Sequence, residues 1–128
     1  MLGLDRGGSC LGIVYEIAPS KWPDIIAKVR EREMLGDAYM ESHKRPVVLA
    51  TGAPVDAITY VVRRQSAQYV PPMSVEQLLP YVRQGHGTMG SCRDYVANTI
   101  QHLRQLGIHD AALEAFAPHV LPHVMTAD

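Results

Sequence analysis

The chain has 128 residues, 47% of them hydrophobic and 20% charged, which is enough to bury one modest core. A formal net charge of -1 argues against an electrostatic grip on nucleic acid or on acidic membrane surfaces. No apolar run approaches the ~20 residues of a membrane-spanning helix, and the N-terminal MLGLDRGG lacks the basic-then-apolar pattern of a secretory signal.

In chain order, residues 2–5 form a short strand candidate, and Arg6-Gly7-Gly8-Ser9 reads as a turn whose glycines are free to take positive φ. Residues 10–17 (CLGIVYEI), rich in branched and aromatic side chains, read as a second strand, so a hairpin is expected. Ala18-Pro19-Ser20 breaks it. The spacing then predicts an amphipathic helix and turn over residues 20–39, with Ser20 as N-cap, Pro23 in the first turn and Gly36 as the stop. Residues 39–50 are extended, with Pro46 expected at an edge or bulge because proline cannot donate to a ladder. Thr51-Gly52-Ala53-Pro54 is a turn, residues 55–62 a strand pairing with the one before, and residues 63–73 a loop.

The last third reads as helical. Ser74 and Gln77 have capping-box spacing and open a helix to about Gln84, which Pro80 is expected to disturb. Residues 85–90 form a flexible joint. A helix follows over residues 92–106 with the stripe Val96, Thr99, Ile100 and Leu103, ended by Gly107. Asp110 caps a short helix over residues 111–117, Pro118 stops it, and a loosely docked tail begins at His119. Hairpins followed by grouped helices give an α+β class in a single domain over residues 1–128. No Gly-rich phosphate loop follows a strand, which argues against a nucleotide-binding doubly wound sheet.

One residue of the first helix stands out. Trp22, Ile26 and Val29 make its apolar stripe, and Glu33 falls at the next step. At about 100° per residue, Glu33 lies within about 20° of Trp22 on the wheel. A carboxylate on a face expected to be buried either pairs with a base or holds its proton to higher pH for acid–base work. Arg30 and Arg32 are the nearby bases, and Arg32 lies about 100° round the helix from Glu33, which disfavours it as partner.

LGLDRGGSCLGIVYEI, VREREMLGDAY, AITYVVRRQSAQYVPPMSVEQL and GSCRDYVANTIQHLRQLGIHD stand in this order in the chain. They resemble the strand–turn–strand, catalytic helix end, following strand and loop, and C-terminal helix of ChaC-like γ-glutamylcyclotransferases. The resemblance runs from about residue 2 to residue 114. It implies a small closed or nearly closed β-barrel with flanking helices and action on glutathione, a small-molecule substrate, without metal or other cofactor. The implied reaction is attack of the γ-glutamyl α-amine on its own γ-carbonyl, closing 5-oxoproline and releasing cysteinylglycine. The Arg-Glu-Met triplet assigns Glu33 as general acid/base by this likeness, which meets the wheel reading of the same residue. Tyr39, six residues on, matches the family tyrosine and is expected at the glutamate or the substrate, while Gly7 and Gly8 match the family turn. Tyr95 and Asn98 match the C-terminal helix pattern, Tyr95 as packing and Asn98 as a hydrogen-bonding group.

One feature departs from the family. Its aromatic-Gly-Ser-Leu loop, whose backbone N–H groups hold the γ-glutamyl moiety, does not occur in this sequence. The expectation is therefore a barrel lacking its N-terminal strand and loop. Two readings are open: a glutathione-cleaving enzyme, or a catalytically incompetent portion of one. A cyclotransferase acting on other γ-glutamyl amines or dipeptides is a further alternative. Cys10 and Cys92 lie in no Cys-x-x-Cys pair, so free thiols and a cytoplasmic setting are expected. His119 and His123 are four apart, but Pro122 between them spoils helical ligand geometry, and no metal is expected.

Overall fold

The computed structural model describes residues 2–122, apart from the side chains of residues 44–46. Its elements are α1 (Trp22–Glu33), β1 (Tyr39–Val48), β2 (Pro54–Val62), α2 (Val75–Gln84), β3 (His86–Gly87), β4 (Gly90–Ser91), α3 (Cys92–Gln105), α4 (Ala111–Glu114) and α5 (Ala117–Val120). They fall into two compact units, Met1–Val70 and Pro71–Asp128. The mixed helix-and-strand class is as expected. The barrel is not found: among the described residues both sheets are two-stranded and neither closes.

In the first unit β1 and β2 form a long antiparallel hairpin, from Tyr39 opposite Val62 to Val48 opposite Pro54. The register slips between Ser42 and Arg45, and Pro46 follows this bulge, where its missing N–H is tolerated. The turn is closed by the Leu49 N–H donating to the Ala53 carbonyl (2.9 Å), with Gly52 at φ +88°.

α1 begins later than expected. Lys21, not Ser20, is its N-cap, without a side-chain cap, and Pro23 fills the first turn. Of its apolar stripe only Ile26 is buried, while Trp22 and Ile25 are exposed. A single hairpin presents too little apolar surface to cover the rest.

The N-terminal hairpin expected over residues 2–17 does not form. Leu4 makes one parallel bridge to Val61, the Val62 N–H donating to the Leu4 carbonyl at 2.8 Å. Residues 10–17 carry no strand, and Leu11 and Tyr15 are 74% and 79% exposed. CLGIVYEI is apolar except for Glu16, close to the pattern of a strand covered on both faces. No described strand lies beside it. Gly7 and Gly8 do take positive φ, at +88° and +71°, so the turn exists without its hairpin.

In the second unit the Ser74–Gln77 capping box is fully formed. Pro80 stands inside α2 without ending it. Residues 85–90, expected as a flexible joint, instead fold back so that His86 pairs with Ser91 and Gly87 with Gly90. The Ser91 hydroxyl then caps α3 by accepting the Asp94 N–H (3.1 Å). Gly107, at φ +72°, follows the helix end. The single helix expected over residues 111–117 is two short ones. Pro118 sits in the first turn of α5 rather than ending its predecessor, a position where proline's missing N–H is harmless. Nor does a loose tail begin at His119: His119 belongs to α5, and Val120 is buried. His123 lies outside the described residues.

The core of this unit is Val82, Val96, Ile100, Ala117 and Val120, flanked by Leu113 and Phe116. Ile100, only 1% exposed, is its most enclosed member. Replacing Ile100 with alanine should lower the unit's unfolding free energy by ~2–5 kcal/mol. The fully exposed Met89→Ala should change it by less than ~0.5 kcal/mol. Urea denaturation of the two variants checks the pair.

Candidate active site

Glu33 is the last residue of α1. Its side chain is 27% exposed, so the fully buried carboxylate expected from the wheel is half-buried instead. Its ion-pair partner is Arg32, the neighbour that helical spacing disfavoured, with Nε 3.2 Å from Glu33 Oε1. The contact forms where the helix gives way to Met34, whose φ of -103° has left helical geometry. The Arg32 side chain is 77% exposed, so solvent screens this pair.

One turn back, Arg30 makes a different bond. Its Nε and Nη2 donate to Glu41 Oε2 (2.9 Å) and Oε1 (2.8 Å), a bidentate fork from α1 to β1. Tyr60, opposite Glu41 in the ladder, donates its hydroxyl to Glu41 Oε2 at 2.9 Å. His43 Nε2 lies 2.7 Å from Glu41 Oε1. The Arg30 guanidinium, helped by the Tyr60 hydroxyl, holds the Glu41 carboxyl down at about 2 despite partial burial. Burial, and then the bond to Glu41, push Tyr60 up to about 12, and the charge of Glu33 acts on Tyr60 in the same direction. Glu33 is therefore an electrostatic neighbour of this cluster.

Tyr39, at the head of β1, lies on the other part of the unit's polar machinery. It is buried, and its hydroxyl donates to the Leu2 carbonyl at 3.4 Å. It lines a cleft of about 310 Å³ with Gly3, Asp5, Val62, Gln68 and Tyr69. Gly3 allows the close approach: a Cβ there would stand 2.5 Å from Val62 Cγ1 and 2.9 Å from Tyr39 Cε1. Asp5 accepts from Arg64 Nε and from the Tyr69 hydroxyl, both at 2.9 Å. The Arg64 bond is the main cause that holds the Asp5 carboxyl below its ordinary range, and the bond to Asp5 raises Tyr69. The loop between β2 and the end of the unit is pinned by buried Ser66, which donates to Asp37 Oδ1 (2.9 Å) and accepts the Gln68 N–H (3.1 Å).

Glu33 is not among the residues lining this cleft, and neither are Gly7 and Gly8, which have nothing within 4 Å of where a Cβ would stand. Tyr95 and Asn98 lie on exposed parts of α3 in the second unit. Sequence reasoning missed Glu41, Tyr60, Asp5, Arg64 and Tyr69. Part of the signal was present: Tyr39, Glu41 and His43 alternate along a predicted strand, a polar set with period 2. Among the described residues no group of three or more His, Cys, Asp or Glu could hold a metal ion. None of the described helices is long and apolar enough to cross a membrane.

A protein-family model described as ChaC-like protein matches residues 1–123. The chain belongs to the ChaC-like family. Members of that family are generally γ-glutamylcyclotransferases, acting on glutathione as a small-molecule substrate. Comparison with curated proteins finds no match, and comparison with solved structures finds none either. The ChaC-like match spans α1 with its Arg32-Glu33-Met34 end, the β1–β2 hairpin and the cleft.

The depressed Glu41 carboxyl makes the stability of this ChaC-like chain depend on pH. A group whose folded value lies below its unfolded one stabilises fully above the unfolded value, and that stability is lost as pH falls through the folded value. For Glu41 the window runs from 4.5 down to about 2. Glu41→Gln should lower stability at neutral pH and flatten its fall across that window, as measured by chemical denaturation at successive pH values.

Proposed function

We propose that this chain is a γ-glutamylcyclotransferase that converts glutathione to 5-oxoproline and cysteinylglycine, with Glu33 as general acid/base. The observation that carries the reading is the ChaC-like match over residues 1–123, within which the Arg32-Glu33-Met34 triplet ends α1 with Glu33 half-buried. The substrate amine is an ammonium near neutral pH and must lose a proton before it attacks. Glu33 takes that proton. The amine nitrogen bonds to the γ-carbonyl carbon, Glu33 returns the proton to the nitrogen of the breaking γ-amide C–N bond, and the second proton shed by the ring-closing nitrogen passes by the same carboxylate to the released cysteinylglycine amine. Tyr39, in the cleft wall, supplies a hydroxyl for the γ-glutamyl group, and the Gly7-Gly8 turn offers backbone N–H groups.

A second reading has an observation in its favour. Glu33 stands outside the cleft that Tyr39 lines, and the sheet beside it is open. A chain of this kind keeps the family's glutamate and turns over glutathione weakly or not at all.

Release of 5-oxoproline from glutathione separates the two. The enzyme reading expects turnover by the native chain and a loss of about 10²-fold or more in Glu33→Gln, with the circular dichroism spectrum unchanged. Retention of most activity in Glu33→Gln would remove Glu33 as the base, and an inert native chain would favour the second reading. Rates on γ-glutamyl amines and other γ-glutamyl dipeptides in the same assay rank the substrate classes. Tyr39→Phe should raise KM more than it lowers kcat.

A further inference from the structure

Helical spacing gives Glu33 a second arginine as a surface neighbour, and that arginine is bonded elsewhere. Residues three apart on a helix are surface neighbours, with Cβ atoms ~5–6 Å apart, and opposite charges at that spacing pair. Arg30 stands three residues before Glu33 on α1. Its guanidinium is instead taken up by Glu41 through two bonds of 2.9 and 2.8 Å. Glu41 is itself fixed from two sides, by the Tyr60 hydroxyl at 2.9 Å and by His43 Nε2 at 2.7 Å. Its side chain is 11% exposed, against 48% for Arg30. A half-buried bidentate fork outcompetes a solvent-screened pair along one helix.

We infer that Glu41 is a positioning residue: it holds the Arg30 guanidinium away from Glu33 and so leaves the Glu33 carboxylate without a second cation against it. Among the described residues, Arg32 from α1 touches Glu33 and Tyr60 from β2 interacts with it electrostatically, while Arg30 from α1 and Glu41 and His43 from β1 form the cluster that holds Tyr60. Arg32 already touches Glu33, but from an exposed position where water screens its charge. Arg30 is the α1 cation that Glu41 holds, so its release adds a second cation to the helix face that carries Glu33. Freed from Glu41, it can swing along the helix face to the Glu33 carboxylate and stabilise the ionised form. A carboxylate so paired is a poorer base. The role rests on the reading of Glu33 as the base, but its physical content is a property of Glu33 that can be measured without turnover.

The test follows the Glu33 side-chain carboxyl by carbon-detected NMR titration, assigned with Glu33→Gln, in the native chain, in Glu41→Gln and in Arg30→Gln/Glu41→Gln. The Glu33 midpoint should fall by about one pH unit or more in Glu41→Gln and return in the double variant, which has no guanidinium to release. The acid limb of the rate of 5-oxoproline release should move down with the midpoint and return with it. A midpoint that does not move in Glu41→Gln, or that stays equally low when Arg30 is also removed, overturns the inference. A purely structural role for Glu41 would reduce the rate and leave the midpoint where it was. Should Glu41→Gln unfold, Glu41→Asp carries the test, because its shorter carboxylate loosens the fork and should shift the midpoint less, in the same direction. A shifted midpoint beside an unshifted rate limb would refute Glu33 as the base while upholding the hold of Glu41 on Arg30.

Discussion

The bidentate bond between Arg30 and Glu41 ties α1 to the hairpin, and the geometry around Glu33 depends on it. Only Ile26 of α1 is buried, so apolar packing by itself fixes the helix weakly. The fork supplies direction as well as attraction, because two parallel N–H···O bonds set the guanidinium plane against the carboxylate. Tyr60 locks the acceptor across the ladder. The end of α1, with Glu33, is thereby set against β1 and β2 by charge rather than by a large apolar interface. This makes the site sensitive to pH and to single substitutions in a way that a well-packed core is not.

A second polar cluster does the equivalent work at the cleft. Asp5, Arg64 and Tyr69 join the N-terminal segment to the loop after β2, and the Leu4–Val61 bridge adds backbone support. Tyr39 lies between the two clusters in chain order, at the head of the strand that carries Glu41. The ChaC-like reading therefore has a glutamate at the edge of one cluster and a tyrosine in the wall of the other. On the proposed reading, a substrate held by Tyr39 brings its γ-carbonyl to the end of α1.

Much of the fold was legible where local chemistry decides structure. The capping box at Ser74, the cap at Asp110, the turn at Gly52 and the stop at Gly107 are each set by a few adjacent residues, and each appears as read. The failures lie where a strand or a face needs a distant partner. Residues 10–17 have strand composition but no described strand to pair with, and Trp22 has a stripe position but no surface to cover it. Pro118 opens α5 instead of stopping the helix before it, because proline suits both roles and only tertiary packing chooses. Although α1 ends before the Gly36 expected as its stop, the place of Glu33 on the α1 stripe was legible from the 3.6-residue period and its nearness to the helix end from the Arg-Glu-Met likeness. Its neighbours Glu41 and Tyr60 were not, because their meeting depends on the hairpin register.

The central claim is that the chain cyclises the γ-glutamyl group rather than hydrolysing it. NMR of the products formed from glutathione tests this most directly. The account predicts 5-oxoproline and cysteinylglycine appearing in equal amounts, with no free glutamate. Glutamate in place of 5-oxoproline, or no product at all, would contradict it.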